Sequence, residues 1–350
     1  MLLSIITISA SIGIFISFFE KREILSRLIS LVPMVTLFIS LGYNIMNRDY
    51  VSYEWMYKDL VAAERIEPGY IWLQNQLLKF GNPHTIIVFL TAILLFITLF
   101  LLNNSTYNLN VIFLAYSTYP LFYDITQLRN TIMYLIVYLG LYFLMKGYKK
   151  LFILFVILGS TFHLMAIIYL LFVFFENIPK KKFEKYMIIG TLIAIICSPI
   201  LVKVFTVVFP SHAVYALKTP GKGIFINIIY IISDVLTVYI IRKLSDENVP
   251  AELDHKLDVM YRFSWLAIIA LPFSFYFLDI IRIERNTQLV KVIFAAISMK
   301  FMSTNKRLIV LVLIIFTSLF TIIMLNITNQ TDMINYVDFN SFTEKIGSIF

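Results

Sequence analysis

A single cysteine, Cys197, lies in an apolar run, which excludes an intramolecular disulfide and a thiolate metal cluster. Charge is scarce too: Asp, Glu, Lys and Arg make up 14% of the chain, where soluble domains carry about 25%. The motifs that announce common chemistries are missing. There is no H-E-x-x-H, C-x-x-C or paired-histidine spacing, so no metal is expected. No D-x-D pair offers to hold a metal-bound nucleotide sugar, and no G-x-x-x-x-G-K-[ST] loop offers to bind ATP, so no cofactor is expected. Heptads, low-complexity tracts and internal repeats are absent, and no linker is long enough to separate domains.

What is there is hydrocarbon. Hydrophobic residues form 60% of the 350 and mean hydropathy is +0.85. A spanning helix needs about 20 apolar residues. The candidates are 2–19, 27–43, 85–102, 109–123, 130–145, 151–175, 186–209, 224–241, 263–278, 287–299 and 307–326. The pattern predicts an all-α polytopic integral-membrane protein of about 10–12 transmembrane helices, folded as a single integral-membrane domain over 1–350. No charged region precedes the first span and Glu20-Lys21-Arg22 follow it, as in an uncleaved anchor rather than a signal peptide. The net charge of +8 reflects basic residues concentrated in cytoplasmic loops, not a nucleic-acid partner.

Lys21, Arg22 and Arg27 place the loop after the first span inside. The N-terminus and the long loop 43–84 then lie outside, and Lys146, Lys149 and Lys150 fall inside. The densest basic run, Lys180, Lys181, Lys182 and Lys185, would fall outside if 151–175 crossed once. A break at Gly159-Ser160-Thr161-Phe162-His163 removes the conflict, because two short helices meeting there form a broken hairpin that returns to the inside. The hairpin would lift His163 toward the outer half of the membrane, against a polar chamber. Two full crossings by short helices give the same charge pattern. The tail 327–350 is then extracytoplasmic.

The loop 43–84 is far longer than a reversal needs. From Arg48 to Tyr70 it carries Asp49, Glu54, Asp59 and Glu64, then Glu67-Pro68-Gly69, interleaved with Tyr50, Tyr53, Trp55 and Tyr57. Its aromatics suit either an interfacial belt or stacking on sugar rings, and its carboxylates could accept hydroxyl hydrogen bonds or serve as a general base. The same outer side gathers Asp124, Gln127, Arg129 and Asn130 of YDITQLRN, then His163, then Asp279, Arg282, Glu284 and Arg285 of LDIIRIERN. Converging arginines suit a pyrophosphate, whose oxygens match guanidinium forks. The plainer reading is interfacial arginines paired with nearby acids. His163 alone fits a hydrogen-bonded interior residue as well as a catalyst. Asp234, within 224–241, is either a proton relay or a buried hydrogen-bonded carboxyl.

In order, the chain carries Arg48-Asp49-Tyr50 with Tyr53, Glu67-Pro68-Gly69-Tyr70, Asp124 with Gln127-Leu128-Arg129-Asn130, and Phe162-His163 with Ala166. Over 43–175 this succession resembles the EpsG family, Wzy-like polymerases of bacterial exopolysaccharide and capsule. Arg282 and Arg285 extend the likeness more faintly. Met165 stands where family members often have the serine of F-H-x-S-A, which removes a side-chain hydroxyl there.

The resemblance implies a glycosyltransferase of the bacterial cytoplasmic membrane that joins oligosaccharide repeat units carried on undecaprenyl pyrophosphate at the outer face. Its implied partners are those lipid-linked oligosaccharides and membrane lipid, with a flippase and a chain-length regulator of the same pathway. Arg48, Asp49, Arg129 and His163 would be catalytic, with Arg48, Arg129 and Arg282 stabilising the pyrophosphate and Asp49 or His163 acting as base. Tyr50, Tyr53, Glu67, Tyr70, Asp124, Gln127, Asn130, Arg282 and Arg285 would bind substrate. Two other readings compete. A lipid-linked sugar flippase or proton-coupled permease calls for repeats with broken helices in both halves, and a scaffold without chemistry needs no converging arginines.

Overall fold

Backbone in hydrocarbon must satisfy its own N–H and C=O groups, which a helix does within one segment. The computed structural model describes residues 2–20, 22–42, 67–81, 83–103, 109–208, 223–245, 249–276 and 280–329, and every regular element among them is helical. Arg48, Asp49, Tyr50 and Tyr53, the rest of 43–66, Asp279 and the tail from 330 lie outside the described residues. Five of the helices are long and apolar enough to cross a membrane, and shorter apolar helices accompany them. The chain is therefore an all-α polytopic membrane protein. Two compact units are distinguished, one within Met1–Leu170 and one within Leu171–Thr331.

In the first unit α1 (Leu2–Phe15) ends in a π turn, Ile16–Glu20, and pairs with α2 (Glu23–Gly42). After α3 (Pro68–Leu77) come α4 (Pro83–Asn103) and α5 (Leu109–Thr118), and α5 lies against both α1 and α2. Small and polar residues make that contact close, as between membrane helices generally. Ser26 donates to the Gly13 carbonyl at 2.8 Å, and Asn110 Nδ2 donates to the Ser26 carbonyl at 2.9 Å. A Cβ at Gly13 would stand 2.4 Å from Asn110 Nδ2.

The segment 109–123, expected as one span, is two helices. Pro120 cannot continue α5 because it lacks the N–H, and the chain restarts as α6 (Leu121–Thr126). Next, α7 (Leu128–Met145) and α8 (Lys149–Ser160) form a hairpin closed by Gly147 at φ 87°. Gly147 N–H donates to Leu144 O at 2.8 Å and Tyr148 N–H to Phe143 O at 2.9 Å, the paired bonds of a Schellman stop. The expected break in 151–175 is present. With 12 residues α8 is about 18 Å long, well short of a bilayer's ~30 Å. After Thr161–His163 the chain resumes as a 3₁₀ helix, Leu164–Leu171, and then α9 (Phe172–Phe175).

The second unit comprises α9 with α10 (Lys180–Val208), α11 (Gly223–Leu244), α12 (Ala251–Ser264), a 3₁₀ continuation Trp265–Phe273, α13 (Ile281–Ser298) and α14 (Thr304–Asn329). Its centre is α13, buried from 283 onward and packed by α11, α12 and Trp265–Phe273. Charged residues fasten one end. Asp254 accepts from Lys180 Nζ at 2.7 Å and from Arg242 Nη2 at 2.9 Å. Arg262 Nε donates to Asp258 at 2.8 Å, while its Nη1 donates to the carbonyls of Phe175 and Ile178 at 3.0 and 2.5 Å, closing the end of α9.

Burial pushes the Asp254 carboxyl up, but hydrogen bonds and charge from Lys180 and Arg242 outweigh it and hold the group below its ordinary range. A carboxyl depressed in this way adds stability above its unfolded value of ~3.9, and that stability is lost as pH falls through the folded value. Asp254→Asn is expected to lower the melting temperature of the purified protein at pH 7 by about 1–3 °C. Thermal scans at falling pH should show the gap to wild type closing below pH ~4.

Candidate functional site

Pro68 fixes φ and needs no donor in a first helical turn, so α3 begins there, with Glu67 extended as its N-cap. Gly69 lets this turn lie directly on the break after α8. Its N–H donates to the Thr161 carbonyl at 2.8 Å. A Cβ at 69 would stand 2.3 Å from Thr161 Oγ1 and 2.8 Å from its carbonyl oxygen, so the approach requires glycine.

That docking sets Glu67 over two further helix starts. Glu67 Oε2 accepts from Nη1 of Arg129, the second residue of α7, at 2.5 Å. Oε1 accepts from the N–H of Leu164, the first residue of the 3₁₀ helix, at 3.4 Å. His163 Nδ1 stands 4.0 Å from Oε1, beyond hydrogen-bond range, and accepts the Met165 N–H at 3.3 Å. His163 thereby caps the 3₁₀ helix from its own side chain. With Nδ1 as acceptor, the neutral ring carries its proton on Nε2. The first N–H of the 3₁₀ helix, a guanidinium from the first turn of α7 and an imidazole thus gather round one carboxylate that itself precedes α3, and Arg129, Glu67 and His163 keep 22%, 18% and 14% of their side-chain surface exposed.

Behind this group is a buried clamp. Asp124 is 1% exposed; its Oδ2 accepts from Tyr116 at 2.8 Å and from Tyr134, and its Oδ1 accepts from Thr131 at 3.3 Å. The carboxylate joins α5, α6 and α7 at the corner where Gln127 takes the Thr131 N–H at 3.1 Å and the chain turns into Arg129. Asn130 on α7 and Tyr70 on α3 are buried, while Arg129 and Gln127, the residue before α7, are half-buried. Arg282 and Arg285 belong to the second unit, on α13, where Arg285 is buried. Arg48, Asp49, Tyr50 and Tyr53 are outside the described residues. Among the described residues no three His, Cys, Asp or Glu side chains group so as to hold a metal.

Sequence reasoning found Glu67, Asp124, Arg129 and His163 but not their neighbours. Thr161 carries no chemical signal, since it contributes a carbonyl. Tyr116 and Tyr134 stand in apolar runs, where nothing in their spacing marks them. Gly69→Ala must displace the α3 turn from Thr161, and a loss of about 1–3 kcal/mol is expected in denaturation of the purified protein. Stability equal to wild type would mean that this contact is not made.

No curated protein matches the chain, and no solved structure does. The EpsG family model matches residues 27–339, a stretch that holds Glu67, Asp124, Arg129 and His163 together, and the chain accordingly belongs to the EpsG family.

Proposed function

We propose that this protein polymerises oligosaccharide repeat units carried on undecaprenyl pyrophosphate, at the outer face of the bacterial cytoplasmic membrane. It would act as one integral-membrane domain with both termini outside, supplied by a flippase and tuned by a chain-length regulator. Membership of the EpsG family supports the polysaccharide role. The observation that carries the chemistry is the gathering of Arg129, His163 and the 3₁₀ helix start at Glu67. Helix N-termini and guanidinium forks both favour phosphate oxygens.

In the proposed step a bond breaks between the anomeric carbon of the growing chain and its pyrophosphate, and a bond forms to a hydroxyl of the incoming unit. The negative charge that develops on the departing pyrophosphate falls to Arg129 and Arg48. The acceptor hydroxyl gives its proton to Asp49, the base in this reading. His163, protonated on Nε2, donates a hydrogen bond to the leaving group or sugar. Glu67 fixes Arg129 and the His163 turn at the distances that the transfer needs, and Asp124 positions Arg129 from behind.

In a strain lacking the wild-type copy, Arg129→Ala should cut high-mass polymer about a hundred-fold while single repeat units persist, and Arg129→Lys should not restore it. Unchanged polymer length and yield would sink the pyrophosphate role. Accumulation of lipid-linked units on the cytoplasmic side would favour a flippase instead.

A further inference from the structure

Glu284, Arg285, Asn286, Thr287, Gln288 and Lys291 are all buried within the second unit, although they lie on one helix of a membrane protein. Residues 284, 288 and 291 are spaced by four and three, so they share a face of α13. That face meets Tyr230 and Asp234, four apart on α11. Lys291 Nζ donates to Asp234 Oδ1, and Gln288 Nε2 donates to Glu284 Oε1 and, at 3.2 Å, to the Tyr230 hydroxyl. Gln288 thereby joins Glu284 to Tyr230, one turn of α11 from Asp234. Asp234 Oδ2 and Glu284 Oε2 are buried with no hydrogen-bond partner among the described residues.

Two carboxyls therefore face one ammonium, with side chains of Asp234 and Lys291 0% and 1% exposed. Ionising all three would leave a net negative charge away from water, and a buried carboxyl in that position takes up a proton. The remaining charged groups on the packed elements are directed elsewhere. On α12, Asp258 is bound to Arg262 and Tyr261 donates to Glu184. Trp265–Phe273 has no titratable side chain, and Lys300 is exposed. At the far end of α11, Arg242 is bound to Asp254. Arg285 leaves α13 about 100° round the helix from Glu284, and Arg282 about 160° round in the same sense, so the two share a face that Glu284, Gln288 and Lys291 do not.

We infer that α11 and α13 form a proton-binding site, in which Asp234 and Glu284 share a single proton beside Lys291. The proton makes the set neutral and supplies the donor that the two open carboxyl oxygens need. Withdrawing it would place an uncompensated charge at the α11–α13 contact, so the site ties the packing of these helices to proton supply. This inference is independent of the polymerase reading.

The test is infrared spectroscopy on the purified full chain in lipid, following the C=O stretch of protonated carboxyl groups. Wild type should show a band that Glu284→Gln removes, because Asp234 then pairs with Lys291 as an anion. Asp234→Asn should remove the same band, because Glu284 then takes that place. Both variants should fold, with melting temperatures within about 3 °C of wild type. The double variant D234N/E284Q strands the ammonium and should melt well below either single one, with Lys291→Met restoring it. The shared proton is refuted if either single variant keeps the band at full intensity or fails to fold.

Discussion

A carboxylate held at the start of three helices imposes an order on the first unit that no apolar contact could. Glu67 reaches Arg129 with one oxygen and the Leu164 amide with the other, so α7 and the 3₁₀ helix must present their N-terminal ends to it together. Each neighbouring feature serves that requirement. Pro68 starts α3 without an orphan donor, Gly69 admits Thr161, and the break at Thr161–His163 exposes the amides that Glu67 and His163 cap. The corner of chain that leads into Arg129 is held in turn by Asp124 and its two tyrosines. A side chain bonded at its tip and rising from a fixed corner loses little freedom on meeting an anion, which is the condition for preorganised electrostatic stabilisation.

The second unit meets the same demand by other means. Near its charged end Asp254 and Lys180 remain partly open to solvent, and their partnership is of the modest kind typical of exposed pairs. Arg262 spends its donors on a carboxylate and on the backbone carbonyls that end α9. Deeper, α13 carries polar groups into the packed interior, where each must find its complement on α11 or on its own next turn. Burial and polarity coexist there because the spacing on the two helices matches.

Hydropathy made the helical architecture legible, since apolar runs of spanning length rarely form anything but membrane helices. The break at Gly159–His163 was readable for a different reason: the charge pattern downstream conflicted with a single crossing. What stayed hidden was orientation about the helix axis. Asp124 reads as a turn residue beside Gln127 and Arg129, yet it faces inward because Tyr116 and Tyr134, on either side of Pro120, converge on it. Asp234 was read alone, as relay or buried acid, because its partner Lys291 stands 57 residues away within Val290-Lys291-Val292-Ile293. The polar start of α13 resembled a surface segment, and only its packing by α11, α12 and Trp265–Phe273 identifies it as interior.

The bond between Glu67 and Leu164 spans 97 residues of chain. At about 5–20 residues per second, synthesis of that interval takes on the order of 5–20 seconds. Arg129 follows Glu67 by 62 residues, so the acid and the arginine both exist before the 3₁₀ start that completes their junction. An acidic, proline-initiated turn of this kind waits in water rather than in lipid, and it can be seated only after α7 and α8 have been inserted. The junction thus closes only once the chain has been made through the 3₁₀ start at Leu164, and a chain truncated before His163 would hold the acid and the arginine without it.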